Sequence, residues 1–194
     1  MSKKDTKIKD ILKFIFELGQ LRRIKHEGWR LIGIQNPESV AEHTLRAAQI
    51  GFILAKMENY HNPYEVSTMI IFHDIGETRI GDLHKLAHKY ITVDEERATE
   101  EQLEKIGEMG ANILELWKQV ENQNTQAGII AKDADLLEQA FMAKEYLEKG
   151  YIAAKHWIEN VAKALKTDSA KKLLTNLDQV NSYDWLLAIK ISDS

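Results

Sequence analysis

The chain of 194 residues has a formal net charge of −4, with 44% hydrophobic residues, 29% charged residues and no cysteine. That balance suits a soluble globular protein with one core over residues 1–194, and it excludes a disulfide framework, a thiolate metal site and a disordered chain. Any metal must be held by His, Asp and Glu, which points away from structural zinc. No apolar run approaches the roughly 20 residues that span a bilayer, and the opening MSKKDTKIKD lacks the apolar centre of a signal peptide. A cytoplasmic protein without a membrane partner is expected. Without a long basic stretch a nucleic-acid polymer is not an expected partner either; the local cluster Leu21-Arg22-Arg23-Ile24-Lys25-His26 suits a solvated helix end or a small anion.

In chain order, Ile8, Ile11, Leu12, Ile15, Phe16 and Leu18 recur at helical spacing and predict a helix from about Thr6 to Gln20. A polar stretch from Lys25 to Pro37 carries Trp29. Ser39-Val40-Ala41-Glu42 fits a capping box, so a helix starts there and runs to about Glu58. Asn62-Pro63 opens a nearly all-apolar helix through Val66, Met69, Ile70, Ile71 and Phe72, ending near Gly76. Gly81 to Thr92 suits a loop or short helix at the rim of a site. Further helices are expected at Val93–Ile106, Ala111–Gln123, Thr125–Lys149, Ile152–Lys166 and Ser169–Leu187. Strand signals are nearly absent, so the expected fold is an all-α bundle of about seven or eight helices, with a core near residues 28–146 and C-terminal helices 151–187 packed on it.

Three places carry chemistry. Ile70-Ile71-Phe72-His73-Asp74-Ile75-Gly76-Glu77 sets a histidine and two carboxylates at the end of the most apolar helix, where a buried charge needs a partner or a metal. If that helix continues through Gly76, the three side chains can converge on its last turn. His43 precedes the apolar stripe Leu45, Ala48, Ile50 and Phe52, and Asp135 lies inside an apolar helix beside Leu136 and Leu137. Two His and two Asp from three helices can form a nitrogen and oxygen ligand set with open positions for water and substrate. Taken singly, each of these is more readily a satisfied core polar group. Asp133, two residues from Asp135, is expected to point elsewhere on the helix. His84 and His88 have metal-ligand spacing but lie in a polar, lysine-bearing segment, and His26, His61 and His156 lack acidic companions at useful spacing. Trp117, Trp157 and Trp185 read as core or dimer contacts.

The order His43, His73-Asp74, Asp135 resembles the H…HD…D signature of the HD-domain metal-dependent phosphohydrolases. Gly28-Trp29, Gln35 through His43, His73 through Glu77 with Gly81-Asp82, and Asp133 through Glu138 are similar to the 5′-deoxynucleotidase group within it. The resemblance covers about Gly28 to Tyr146. It implies hydrolysis of 2′-deoxynucleoside 5′-monophosphates by a homodimer with one divalent ion per subunit: Mn, Co, Fe, Ni, Mg or Zn. It implies His43, His73, Asp74 and Asp135 as metal ligands, Glu77 and Asp82 as catalytic acids, and Trp29 near the substrate. Bacterial members carry arginine before that tryptophan where this chain has Gly28, so phosphate contact must come from Arg22, Arg23, Lys25, Arg30 or Arg79, with Arg30 and Arg79 expected first. Two other readings stand beside it: an HD hydrolase of a triphosphate, cyclic nucleotide or alarmone, and a metal-binding scaffold without turnover.

Overall fold

A computed structural model describes residues 3–189, with the side chains of residues 5–189; the first two and last five positions of the expected 1–194 domain lie outside the described residues. They form ten α-helices and six short 3-10 turns, with no strand among the described residues beyond one antiparallel bridge between Lys25 and Ser39. Two of the ten, Glu77–Ile80 (α4) and Asp184–Leu187 (α10), are single turns, which leaves the eight longer helices the periodicity implies. No helix among the described residues is long and apolar enough to cross a membrane.

The central element is α7, Gln126–Glu148, and its surface explains why the bundle closes around it. Ala127, Ala131, Ala134, Ala140 and Ala143 are buried along it, so other helices approach its backbone closely. Val40–Met57 (α2), Pro63–Ile71 (α3), Glu108–Asn122 (α6), Lys155–Ala164 (α8) and Asp168–Thr175 (α9) all pack against it. Leu54, Val66, Met69, Ile70, Val120, Ile130 and Leu137 fill the space between them. Lys3–Leu18 (α1) and Glu95–Leu103 (α5) form a second cluster with Phe14, Ile75, Leu103 and Ile106.

Close approach is most severe at Gly128, where an added Cβ would lie 2.0 Å from the backbone carbonyl of Gln119. Backbone cannot rotate away as a side chain can, so Gly128→Ala is expected to destabilise the fold by about 1–3 kcal/mol or more. A thermal melt followed by circular dichroism checks this; an unchanged midpoint would contradict the α6–α7 contact.

The capping box forms as expected: the Glu42 N–H donates to Ser39 Oγ at 3.3 Å and the Ser39 N–H to Glu42 Oε2 at 2.6 Å. Most boundaries shift by a few residues, and two departures from expectation are larger. The third helix stops at Ile71 rather than near Gly76, because the Ile70 carbonyl accepts both the His73 N–H at 3.3 Å and the His73 Nδ1–H at 2.7 Å. With that acceptor engaged, residues 72–76 turn before α4 begins. The expected Ser169–Leu187 helix is three pieces, α9, a 3-10 turn Leu177–Gln179 and α10. Asn176 Nδ2 takes the Lys172 carbonyl at 2.8 Å, and the Ser182 hydroxyl and N–H donate to Glu148, which holds the chain in a turn there.

Candidate metal centre

The α2 capping box fixes where that helix begins, and so sets His43 facing α7 with its side chain almost wholly buried. The turn after α3 delivers His73 and Asp74, and the middle of α7 delivers Asp135. His43 Nε2 lies 3.1 Å from Asp135 Oδ1 and 4.0 Å from Asp74 Oδ2. His73 Nε2 lies 3.1 Å from Asp74 Oδ1 and 3.7 Å from Asp135 Oδ1. One atom from each of His43, His73 and Asp135 falls within 4.8 Å of the others. All four residues expected as ligands therefore meet, although a turn rather than a continued helix brings His73, Asp74 and Glu77 together.

The outer nitrogens show that the arrangement fits a cation. His43 Nδ1 donates to Glu138 Oε2 at 2.5 Å, and His73 Nδ1 donates to the Ile70 carbonyl. In the neutral ring each Nε2 then presents a lone pair, and both lone pairs face carboxylate oxygens. The buried His73 Nε2 has no aligned hydrogen bond at all. Only a proton or a metal ion on these nitrogens removes that repulsion, and a histidine braced on its far side by a carboxylate or carbonyl is the usual support of a metal ligand.

The electrostatics agree. Burial alone would discharge His43, but hydrogen bonds to Asp135 and Glu138 overcome it and hold the ring well above its ordinary value. Burial also works against a charged His73, while Asp74 and Asp135 raise it. Asp135 is pulled well below the usual carboxylate range: burial opposes this, and Lys132, His43 and His73 outweigh it. Lys132 Nζ sits 2.8 Å from Asp135 Oδ2.

Glu77 is pushed up to about 10 by burial first and then by Asp74, Asp82 and Glu95; its Oε2 is buried without a hydrogen-bond partner. Glu95 reaches the centre because Gly76 lets α5 approach, and burial with Glu121 and Asp74 raises it to about 7. For metal-stripped protein the sign follows. Glu77 and Glu95 have folded values above their unfolded ones, so the stability they contribute is full below about pH 4.5 and is lost as pH rises through about 7 and about 10. His43 and His73 add to the same decline above 6.5. Asp135 and Glu138, both lowered, act oppositely and lose stability as pH falls below the usual carboxylate range. The melting temperature of stripped protein is expected to fall steadily from pH 6 to 9, and a saturating divalent ion should flatten that fall. A flat profile without metal would contradict the sign.

Beside the centre lies a cavity of about 540 Å³, within the size range of small-molecule sites, lined by His26, Gly28, Trp29 and Leu31, by residues 82–85 with His88, and by α7 and α8. Asp82 is on its wall and accepts the Glu27 N–H at 2.6 Å, so it also anchors that wall. Trp29 reaches the cavity but is 2% exposed, stacked on Trp157 at 4.8 Å and edge-on to Tyr146. The two arginines expected first at the phosphate are turned elsewhere. Arg79 binds Glu17 of α1 at 2.5 Å, because the single turn of α4 points it away from Glu77. Arg30 pairs with Glu27 at 2.8 Å and the Gln35 carbonyl at 3.0 Å, outside the cavity lining.

Three residues at the centre were not singled out by the sequence. Glu138 and Lys132 lie three positions either side of Asp135 on the same helical face, which is the signal that marks them. His26 lies 3.4 Å from Glu38 Oε1, with its ring 4.4 Å from that of His43, brought there by the Lys25–Ser39 bridge. Its acidic companion is twelve residues away in sequence and invisible at helical spacing. Asp133 does point elsewhere: it accepts the Lys166 and Thr167 N–H groups and the Thr167 hydroxyl, fixing the α8–α9 turn.

Two histidines and two aspartates gathered from separate elements of a helical bundle, beside a cavity of nucleotide dimensions, define the class of all-helical metal-dependent hydrolases. The HD domain family matches residues 18–177, and the chain belongs to that family. It is 32% identical over 168 residues to the 5′-deoxynucleotidase HDDC2 of Dictyostelium discoideum, covering 78% of this chain and 83% of that one. To the protein of the same name from Homo sapiens it is 27% identical over 143 residues, covering 71% and 69%. A structural-genomics crystal structure, 37% identical, superposes with a TM-score of 0.77 over 91% of this chain and 99% of the other. A conserved hypothetical protein from Pyrococcus furiosus, 26% identical, gives 0.72 over 87% and 99%.

Proposed function

We infer that the protein is a metal-dependent phosphohydrolase that cleaves 2′-deoxynucleoside 5′-monophosphates to deoxynucleoside and phosphate. The observation that carries this is the pair of braced histidines whose Nε2 atoms face Asp74 and Asp135 beside a nucleotide-sized cavity. Relatives named 5′-deoxynucleotidase in organisms as distant as an amoeba and a mammal support the substrate class. His43, His73, Asp74 and Asp135 would hold one divalent ion, drawn from Mn, Co, Fe, Ni, Mg or Zn. Once bound, such an ion neutralises phosphoryl oxygens and lowers the pKa of water.

The chain's own groups supply the rest. Water attacks phosphorus, the P–O5′ bond breaks, and the leaving oxygen needs a proton. Glu77, buried with its Oε2 free of a hydrogen-bond partner and 3–4 residues from both His73 and Asp74, is the group placed to exchange protons with the attacking water and the leaving oxygen. Asp82 holds the wall beside it. With Arg30 and Arg79 paired elsewhere, Lys132, 2.8 Å from Asp135, is a cation placed at the ligands. The reading also takes the protein as a cytoplasmic homodimer without nucleic-acid partner; the exposed Ile8, Leu12, Ile15 and Phe16 on α1 offer an apolar face for a second copy.

The test is phosphate release by stripped protein reconstituted with Mn, Co or Mg, using deoxynucleoside and ribonucleoside mono- and triphosphates. Release from deoxynucleoside monophosphates is expected. Inorganic triphosphate as product would assign another HD hydrolase activity, and bound metal without product would make the protein a scaffold.

A further inference from the structure

The cavity reaches from residues beside the metal centre to α8, and its two ends differ. At one end Gln139 donates to the metal-facing Asp135 at 3.3 Å, His26 touches the ring of His43, and Asp82 lies near Glu77. At the other, α8 turns one stripe inward: His156, Trp157, Asn160, Val161 and Ala164, at helical spacing. A phosphate held at the first end leaves the far end for whatever the phosphate is attached to.

Two aromatic side chains meet there, and only one can offer itself to a ligand. Trp29 is covered by Trp157 and Tyr146. Trp157 is partly exposed and lines the cavity, while its contact with Trp29 locks the orientation of its ring. A rigid, partly exposed indole is a good stacking surface for a flat heteroaromatic ring. One turn further on α8, the exposed Asn160 carries a donor and an acceptor, the pair needed to meet a base edge.

Gly28 completes the arrangement. A Cβ built there would lie 3.7 Å from Trp157 Cζ2 and 3.9 Å from His84 Cβ, and the backbone is not in the left-handed region. The position therefore tolerates alanine, but any longer side chain would enter the space between Trp157 and His84. Its bareness keeps the far end open.

We propose that this end is the nucleobase subsite, in which Trp157 supplies the stacking face, Asn160 meets the base edge, and Gly28 leaves the room for purines. This rests on the deoxynucleotidase reading, and the experiment separates the two. KM is measured for dAMP, dTMP and base-free 2-deoxyribose 5-phosphate with the reconstituted wild type, Trp157→Ala, Asn160→Ala and Gly28→Leu. Removing the indole is expected to raise the ratio of KM for dAMP to KM for the base-free sugar phosphate about tenfold or more, since stacking is lost only where a base is present. Gly28→Leu is expected to raise that ratio more for dAMP than for dTMP, and Asn160→Ala to change the dAMP to dTMP preference. Equal changes for all three substrates would overturn the subsite.

Because Trp157 also packs on Trp29, Trp157→Ala can fail to fold, and Trp157→Phe with Gly28→Leu then carries the test. A second readout needs no turnover. Free 2′-deoxyadenosine is expected to quench tryptophan fluorescence in the wild type and much less in Trp157→Phe; equal quenching, or none, counts against the assignment. If wild type releases no phosphate from any deoxynucleoside monophosphate, the functional reading fails, and the quenching alone decides whether the subsite stands.

Discussion

Asp135→Ala is expected to leave the protein without bound divalent metal and to lower phosphate release by at least about a thousandfold, the scale set by several kcal/mol of lost charge stabilisation at the phosphoryl group. Asp135 is the residue that both histidines face, at 3.1 Å from His43 Nε2 and 3.7 Å from His73 Nε2. Its loss leaves those nitrogens with Asp74 alone. It also strands Lys132, whose charge is stabilised first by Asp135. Breaking one side of a buried pair costs about 3–5 kcal/mol in comparable sites, so a lowered melting temperature should accompany the loss of metal. Asp135→Asn keeps the shape, and is expected to show the same metal loss with a smaller change in stability. Metal content by elemental analysis, with circular dichroism as the control for folding, decides it. Full metal occupancy with ordinary turnover in either variant would remove Asp135 from the centre.

What could be read in the sequence was whatever announces itself locally. The Ser39–Glu42 capping box fixes the start of α2 and with it the heading of His43. Asp135 stands out because a carboxylate between alanine and leucine inside an apolar helix needs an explanation. The partners that make the centre work announce nothing locally. Glu138 reaches His43 across 95 positions of sequence and Arg46 across 92, and no helical spacing encodes either contact. His26 arrives through a single backbone bridge. Arg79 shows the opposite error. It is expected at the phosphate because Gly28 stands where an arginine would, yet a single helical turn rotates successive side chains by about 100°, and α4 delivers it to Glu17. The end of α3 was equally hidden, because it depends on which carbonyl the His73 ring takes.

Glu77→Gln should separate catalysis from stability. In the metal-free protein its carboxyl is pushed up to about 10 by burial, with Asp74, Asp82 and Glu95 adding their repulsion. Glutamine has the same volume and mimics the neutral form, so the fold no longer meets the penalty that the wild type carries above the unfolded value of about 4.5, where the unfolded chain would release the proton. Stripped protein with this substitution is expected to melt higher than the wild type at pH 8 to 9, and the two should converge near pH 4 to 5, where both are neutral at this position. Turnover should move the other way. An amide cannot exchange a proton with water or with the leaving oxygen, so phosphate release is expected to fall by about 10²–10⁴ while metal content stays as in the wild type. Gain of stability with loss of activity is the pattern of a residue kept strained for function. Matching melting curves across that pH range would show that Glu77 is not held in its neutral form, and undiminished turnover would remove it from the proton transfer.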